Sequence, residues 1–212
     1  MKDYRIFVEG QRDQAFLETF LSKIGILCRT ERSSSNVINI EGWTNMGEER
    51  AKNKLLEAVR EQKTICIIFD ADDPTKDYGG KETRLARLRE LLGELHSHVN
   101  IFLFPNHDSD GDFETLLQKI ARPEHKALFE CWEGYSECVT RKNYNKPTNK
   151  SKVWEFAAAI DDSVWKDRQG FNKSFTNPEI WNLESPALEP LRQFLFQHLG
   201  HLIPQIPKSP NP

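Results

Sequence analysis

The sequence predicts an α/β protein: a parallel sheet of about four strands with helices on both faces, followed by a helical C-terminal extension. Three observations carry this reading. The apolar runs "YRIFV", "VINI", "TICIIF" and "VNIFLF" have the length and β-branched character of strands. They alternate with helical patterns of ten residues or more, and such crossovers are what parallel neighbours require. Beyond about residue 121 the strand signals stop and only helical periodicity continues.

Taken in order, Tyr4 to Val8 reads as the first strand, and Asp13 to Ile24 as a helix with Phe16, Leu17, Phe20, Leu21 and Ile24 on one face. Val37 to Ile40 is the second strand. After the turn Gly42 to Gly47, a helix from about Glu48 to Gln62 leads into the third strand, Thr64 to Phe69. Pro74, Gly79 and Gly80 break the chain before a charged helix, about Lys81 to Leu95. Val99 to Phe104 is the fourth strand, and another helix begins near Asp112. Further helical patterns lie around Pro123 to Val139, Lys152 to Ile160 and Pro186 to His198. The expected organisation is a core at 1–121, a helical extension packed on it at 122–203, and a flexible proline-rich tail at 204–212.

Composition excludes some partners and leaves others open. A formal charge of −3 with 29% charged residues gives no global basic field, so a polyanion must be held by a local patch or a metal. Cys28, Cys66, Cys131 and Cys138 form no CxxC pair, and Cys66 sits inside a strand as a small hydrophobe, which predicts a reducing, cytoplasmic setting. The N-terminus enters a strand pattern at once, and no run approaches the roughly 18 apolar residues of a membrane span. Neither export nor membrane insertion is expected.

The stretch "IIFDADD" passes from a buried strand into three carboxylates. Parallel sheets bind ligands beyond the carboxyl ends of their strands. Glu9 follows the first strand, Asp70 and Asp72 the third, and Asp108, Asp110, Asp112 and Glu114 the fourth, so all fall on one edge. Clustered carboxylates repel unless a cation neutralises them, and hard oxygen ligands suit Mg²⁺ or Mn²⁺. Asp70 and Asp72, two apart, share a face if strand geometry persists, while Asp73 points away. Alone, "DADDPTKD" reads equally as a polar turn with a helix cap. Glu9 on the neighbouring strand end favours the metal reading, with Asp112 and Glu114 as additional candidate ligands.

"FVEG" with Asp13 and Phe16 just beyond, "IIFDADD" and "LFPNHDSDGDFETLL" resemble the Toprim fold, and more closely the Toprim-like bacterial family of unknown function DUF3226. The resemblance extends into "NKSKVWEFAAA" and so covers most of the chain. It implies a divalent-metal site of the type used by topoisomerases, primases and nucleases of the overcoming-lysogenization-defect class. Glu9 then matches their glutamate, a general acid/base or ligand. Asp70 and Asp72 match the metal-binding DxD, and Glu114 an acidic residue near a second ion. "HDSDGD" is more acidic than the third element of that pattern.

From Val139 to Trp154 no acidic residue occurs, while Arg141, Lys142, Lys146, Lys150 and Lys152 are interleaved with Tyr144 and Trp154. This reads either as a phosphate-contacting segment with stacking platforms or as a solvated loop entering a helix. Arg84, Arg87 and Arg89 read as an exposed helical face, and His107 as a candidate to touch substrate or metal-bound water. "DSDGDFE" fails as a calcium loop because its glycine comes two positions early. No GxxxxGK[ST] occurs, so P-loop ATP hydrolysis falls to a partner protein. The expected function is a Mg²⁺- or Mn²⁺-dependent nuclease cleaving DNA or RNA, set in phage defence. Glu9, Asp70 and Asp72 hold one or two ions, and Lys150 or Lys152 stabilises transition-state charge. The alternative is a non-catalytic module that binds metal or nucleotide beside an ATPase; the oligomer, a homodimer included, is left open.

Overall fold

The computed structural model describes residues 3–29, 35–167 and 169–202, so the expected tail at 204–212 lies outside the described residues. The strands are β1 (Tyr4–Val8), β2 (Val37–Asn39), β3 (Thr64–Asp70) and β4 (Val99–Phe104). They form one parallel sheet in the order β2-β1-β3-β4. Val8 pairs with Ile68, and Asp70 with Phe104, so the carboxyl ends of β1, β3 and β4 lie side by side.

Burial on both faces explains why β3 carries no polar residue between Thr64 and Asp70. Ile65, Ile67 and Phe69 join one apolar cluster, while Cys66 and Ile68 join another on the opposite face. The first cluster is closed by α2 (Glu49–Arg60) and α3 (Lys81–Leu92), through Leu55, Ala58, Leu88 and Leu92. The second is closed by α1 (Gln11–Lys23) and α4 (Phe113–Ile120) with the C-terminal helices. A sheet buried on both faces is the parallel α/β arrangement the strand pattern predicts. Two helices are shorter than their periodicity suggests. α2 ends at Arg60, with Gln62 at a left-handed φ of 54°, and α3 stops where Gly93 takes a left-handed φ of 53°.

The extension contains α5 (Ala127–Arg141), α6 (Asn149–Ile160), α7 (Ser163–Lys166), α8 (Gly170–Ser174) and α9 (Glu189–Leu199). Phe171, Phe175, Trp181 and Leu195 belong to the same cluster as Phe16 and Phe113. Asn182 donates its backbone N–H to the Ile120 carbonyl at 2.7 Å and Arg122 to that of Ile180 at 3.1 Å, which fastens the extension to the end of α4. The buried Trp181 indole donates to the Ser174 hydroxyl at 3.0 Å, so its polar atom is satisfied in the core. Among the described helices of the extension, α5 stands largely outside this core, joined to α6 by the Phe129–Phe156 stack at 4.4 Å. Among the described residues no helix is long and apolar enough to cross a membrane.

Candidate functional site

From β1 the chain crosses to β2 on one side and then returns past β1 to β3 on the other, so the β1–β3 seam is the topological switch point of the sheet. Glu9 and Asp70 stand at the two strand ends that flank it. Asp70 has the parity of Cys66 and Ile68, which turns it toward α4. There its Oδ1 accepts from the backbone N–H of Phe113 at 2.8 Å, one of the amides left without a partner at a helix start. Phe113 is held in place by its ring, which packs on Phe16 and Phe104 at 5.0 and 5.1 Å. The backbone N–H of Asp70 donates in turn to Glu9 Oε1 at 2.9 Å. Asp13 accepts from the Gly10 N–H at 2.7 Å, which closes the first turn of α1 and brings in a third carboxylate.

Glu9, Asp13, Asp70 and Glu114 line one cleft of about 590 Å³, together with Arg12 and Lys150. Burial raises the Asp70 carboxyl well above the usual carboxylate range, and Glu9, Asp13, Glu114 and Asp112 push it the same way. Burial also raises Glu9, against the hydrogen bond from the Asp70 backbone and the attraction of Arg84. Asp13 is pushed up to about 7, by burial first and then by Glu9. Burial and Asp112 raise Glu114, while Lys150 and Arg12 pull it down. The Arg12 guanidinium lies 3.8 Å from Glu114 and sits over the Phe171 ring at 4.7 Å. The cleft thus gathers four carboxylates, with Arg12 and Lys150 as the cations among its described lining residues.

Not every expected residue arrives there. Asp72 does not share a face with Asp70, because the strand ends at Asp70 and Asp72 adopts a left-handed φ of 63°. A pair of backbone hydrogen bonds with Gly111 fixes it in that turn, at 2.6 and 3.1 Å. Its Oδ1 meets Lys76 Nζ at 2.6 Å and its Oδ2 the guanidinium of Arg84. The expectation that Arg84 lies on an exposed face is corrected: its side chain is 1% exposed and stacks over Trp43 at 4.1 Å. Arg87 is half-buried and Arg89 exposed. Removing one partner of so buried a pair costs about 3–5 kcal/mol, because the other charge is left without compensation.

Asp112 caps α4, accepting from the Thr115 N–H at 2.8 Å. Asp110 accepts from the Lys81 N–H at 2.6 Å at the start of α3, and Asp108 lies 3.8 Å from Lys81 Nζ. Glu114, 3% exposed, is the acidic residue after β4 that reaches the cleft. His107 is turned inward: it stacks on Phe102 at 5.4 Å, and its Nδ1 accepts from the Leu103 N–H. Of the basic segment, Lys150 lines the cleft, but Lys152 pairs with Glu133 and lies over Phe129 on the α5 side. Arg141, Lys142 and Lys146 are exposed around the end of α5 and do not line the cleft. Trp154 does line it, with its ring stacked on Phe171 at 5.5 Å. Arg12 and Phe171 escape the sequence reading, Phe171 because it lies on a five-residue helix with too little periodicity to detect.

The donor set at the seam is made of hard carboxylate oxygens, which Mg²⁺ and Mn²⁺ prefer. Among the described residues no group of three or more His, Cys, Asp or Glu side chains is gathered as a metal cage. By donor chemistry Glu9 and Asp70 would suit an ion that fills its remaining positions with water, as Mg²⁺ commonly does. They do not fit an all-protein cage.

Fold and site together define an α/β protein with an acidic cleft at the switch point of its sheet. The chain belongs to the DUF3226 family, a protein family of unknown function, whose profile matches residues 3–199. No curated protein matches it. In fold it is similar to the hypothetical protein PH0156 from Pyrococcus horikoshii OT3, known from a crystal structure. The two share a TM-score of 0.50 at 15% identity, covering 95% of this chain and 98% of that one. The similarity extends over the sheet and the C-terminal helices together.

Proposed function

We propose that this protein is a divalent-metal-dependent nuclease of Toprim type, with Glu9 and Asp70 as ligands for Mg²⁺ or Mn²⁺. The observation that carries the reading is the half-buried Asp70, whose backbone N–H holds Glu9 at the switch point, in a cleft that two more carboxylates share. Like charges buried together cost free energy that a bound cation returns, so the arrangement makes sense as half of a metal site. The order glutamate after β1 and aspartate after β3 is the order in which Toprim sites carry theirs. When bound, the ion supplies Lewis-acid polarisation of a phosphoryl oxygen. Lys150 contributes a fixed cation for the phosphate, and Arg12, braced on Phe171 and Glu114, a second. Burial and the neighbouring Glu9 push Asp13 up to about 7 in the ion-free cleft, so it holds a proton there that a bound cation would displace. The chain carries no P-loop, so ATP hydrolysis in a phage-defence assembly would be the task of a partner protein.

Purified protein should cut plasmid DNA or RNA in the presence of Mn²⁺, and Asp70→Asn should abolish cutting. One observation favours a second reading, a non-catalytic metal- or nucleotide-binding module: the described residues hold no group of three gathered ligands. Mn²⁺ binding without cleavage of either nucleic acid would select that module.

A further inference from the structure

Helix α5 carries two apolar stripes, and the fold of the chain covers one of them. Phe129 and Ser136 turn toward α6, where Phe129 stacks on Phe156 and Glu133 pairs with Lys152. Leu128, Cys131, Tyr135 and Cys138 form the other stripe, in which Tyr135 is 54% exposed and both cysteines are exposed. Their alternation of three- and four-residue steps is the seam by which one helix packs on another. The seam runs into a groove of about 590 Å³ lined by Leu128, Trp132 and Tyr135 from α5 and by Phe156 and Ala159 from α6.

Charge on α5 is divided along its length. From Ala127 to Glu137 it has Glu130, Glu133 and Glu137 and no base, whereas Arg141, Lys142 and Lys146 follow with no acid before Glu155. Glu133 has its partner in Lys152, but among the described residues Glu130, Glu137 and Arg141 take part in no ion pair. Glu130 and Arg141 are separated by about three turns and so stand on one line of the helix, beside the seam. Gly134 lies between them, and a Cβ built there would meet nothing within 4 Å, so this flank is open to a neighbour.

We infer that this face docks a second copy of the chain, α5 against α5 in the antiparallel sense, so that two α5/α6 hairpins close as a four-helix bundle. A two-fold interface must be complementary to itself, and a helix with an acidic half and a basic end meets that condition only when reversed. Antiparallel pairing sets Glu130 beside the partner's Arg141 and opposes the two helix dipoles. A parallel pair would set like charges together along the whole helix. The inference is independent of the metal reading, and it gives a use to Arg141, which does not line the cleft.

The test is sedimentation equilibrium of the full-length protein at micromolar loading, with the dimer dissociation constant as the readout. The wild type should form dimers. Tyr135→Glu, which sets a charge in the middle of the seam, should raise the constant by about tenfold or more. Arg141→Glu and Glu130→Arg should each raise it about threefold, whereas the doubly reversed chain should return to within about twofold of the wild type. The swap restores opposite charges across an antiparallel pair and not across a parallel one. All three positions are exposed, so circular dichroism should show the variants folded as the wild type is. A monomeric wild type, or a dimer that Tyr135→Glu leaves intact, would overturn the inference. A doubly reversed chain that dimerises more weakly than either single variant would overturn the antiparallel arrangement.

Discussion

Asp70 donates its backbone N–H to Glu9 Oε1 at 2.9 Å, so a main-chain to side-chain hydrogen bond joins the two acidic residues of the seam. The register that sets Val8 beside Ile68 brings their backbones together. Replacing Asp70 by asparagine keeps an oxygen to accept from Phe113 but removes one of the mutually repelling charges. Ion-free Asp70→Asn should therefore melt at the wild-type temperature or a few degrees higher, about 2–4 °C per kcal/mol for a chain of this size. The rise in melting temperature on adding Mn²⁺ should vanish. A drop of several degrees in the ion-free variant would instead make Asp70 a structural cap.

The pH dependence of stability should run opposite to that of a protein stabilised by paired carboxylates. Glu9, Asp13, Asp70 and Glu114 all bind their protons more tightly in the folded chain than in the unfolded one. Their contribution is present below the unfolded carboxylate range and is lost as pH rises through the folded values, about 7 for Asp13. Ion-free protein should thus be more stable near pH 5.5 than near pH 8 in thermal melts, and Asp13→Asn should flatten the difference. Mg²⁺, competing with those protons, should stabilise more at pH 8 than at pH 5.5.

Lys150 and Lys152 stand two apart on α6 yet serve different neighbours. Lys150→Met should weaken nucleic-acid binding and reduce the log–log salt slope by about one per lost phosphate contact. Lys152→Met should leave that slope unchanged. Filter-binding titrations from about 50 to 200 mM salt cover the range in which such contacts register.

Asp112 separates a helix cap from a ligand. Asp112→Ala should destabilise the protein by about 1 kcal/mol in urea unfolding through loss of the cap on Thr115. Asp112→Ser should recover most of that loss, and both variants should bind Mn²⁺ as the wild type does. A large loss of Mn²⁺ affinity in the stably folded serine variant would place Asp112 among the ligands.

The strands were the most legible part of the chain, because a sheet buried on both faces writes its limits as uninterrupted apolar runs; β1 and β4 begin and end where those runs do. Glu9 and Asp70 were legible for the same reason: a carboxylate directly after a buried strand has few places to go. Asp72 was not, since its direction is set by a left-handed turn and by Gly111, forty residues away in the chain by rough count and adjacent only after folding. Arg84 was hidden by composition. In a helix rich in arginine and leucine nothing local tells which cation turns inward, and Trp43 decides it. The opposed directions of Lys150 and Lys152 follow from the helical repeat once α6 is seen to start at Asn149, a start set by the Thr148 cap.

The two apolar clusters on opposite faces of the sheet are finished at different times during synthesis. The side facing α2 and α3 has all its residues once Leu103 has left the ribosome. The side that supports Asp70 draws on Phe171, Trp181 and Leu195, and has no complete cover until the last helix emerges. The nascent chain therefore passes through a stage with one finished flank and one bare flank, and its cleft is assembled last. A ribosome stalled between Leu103 and Phe171 would carry a half-clad sheet, the form that a holding chaperone recognises.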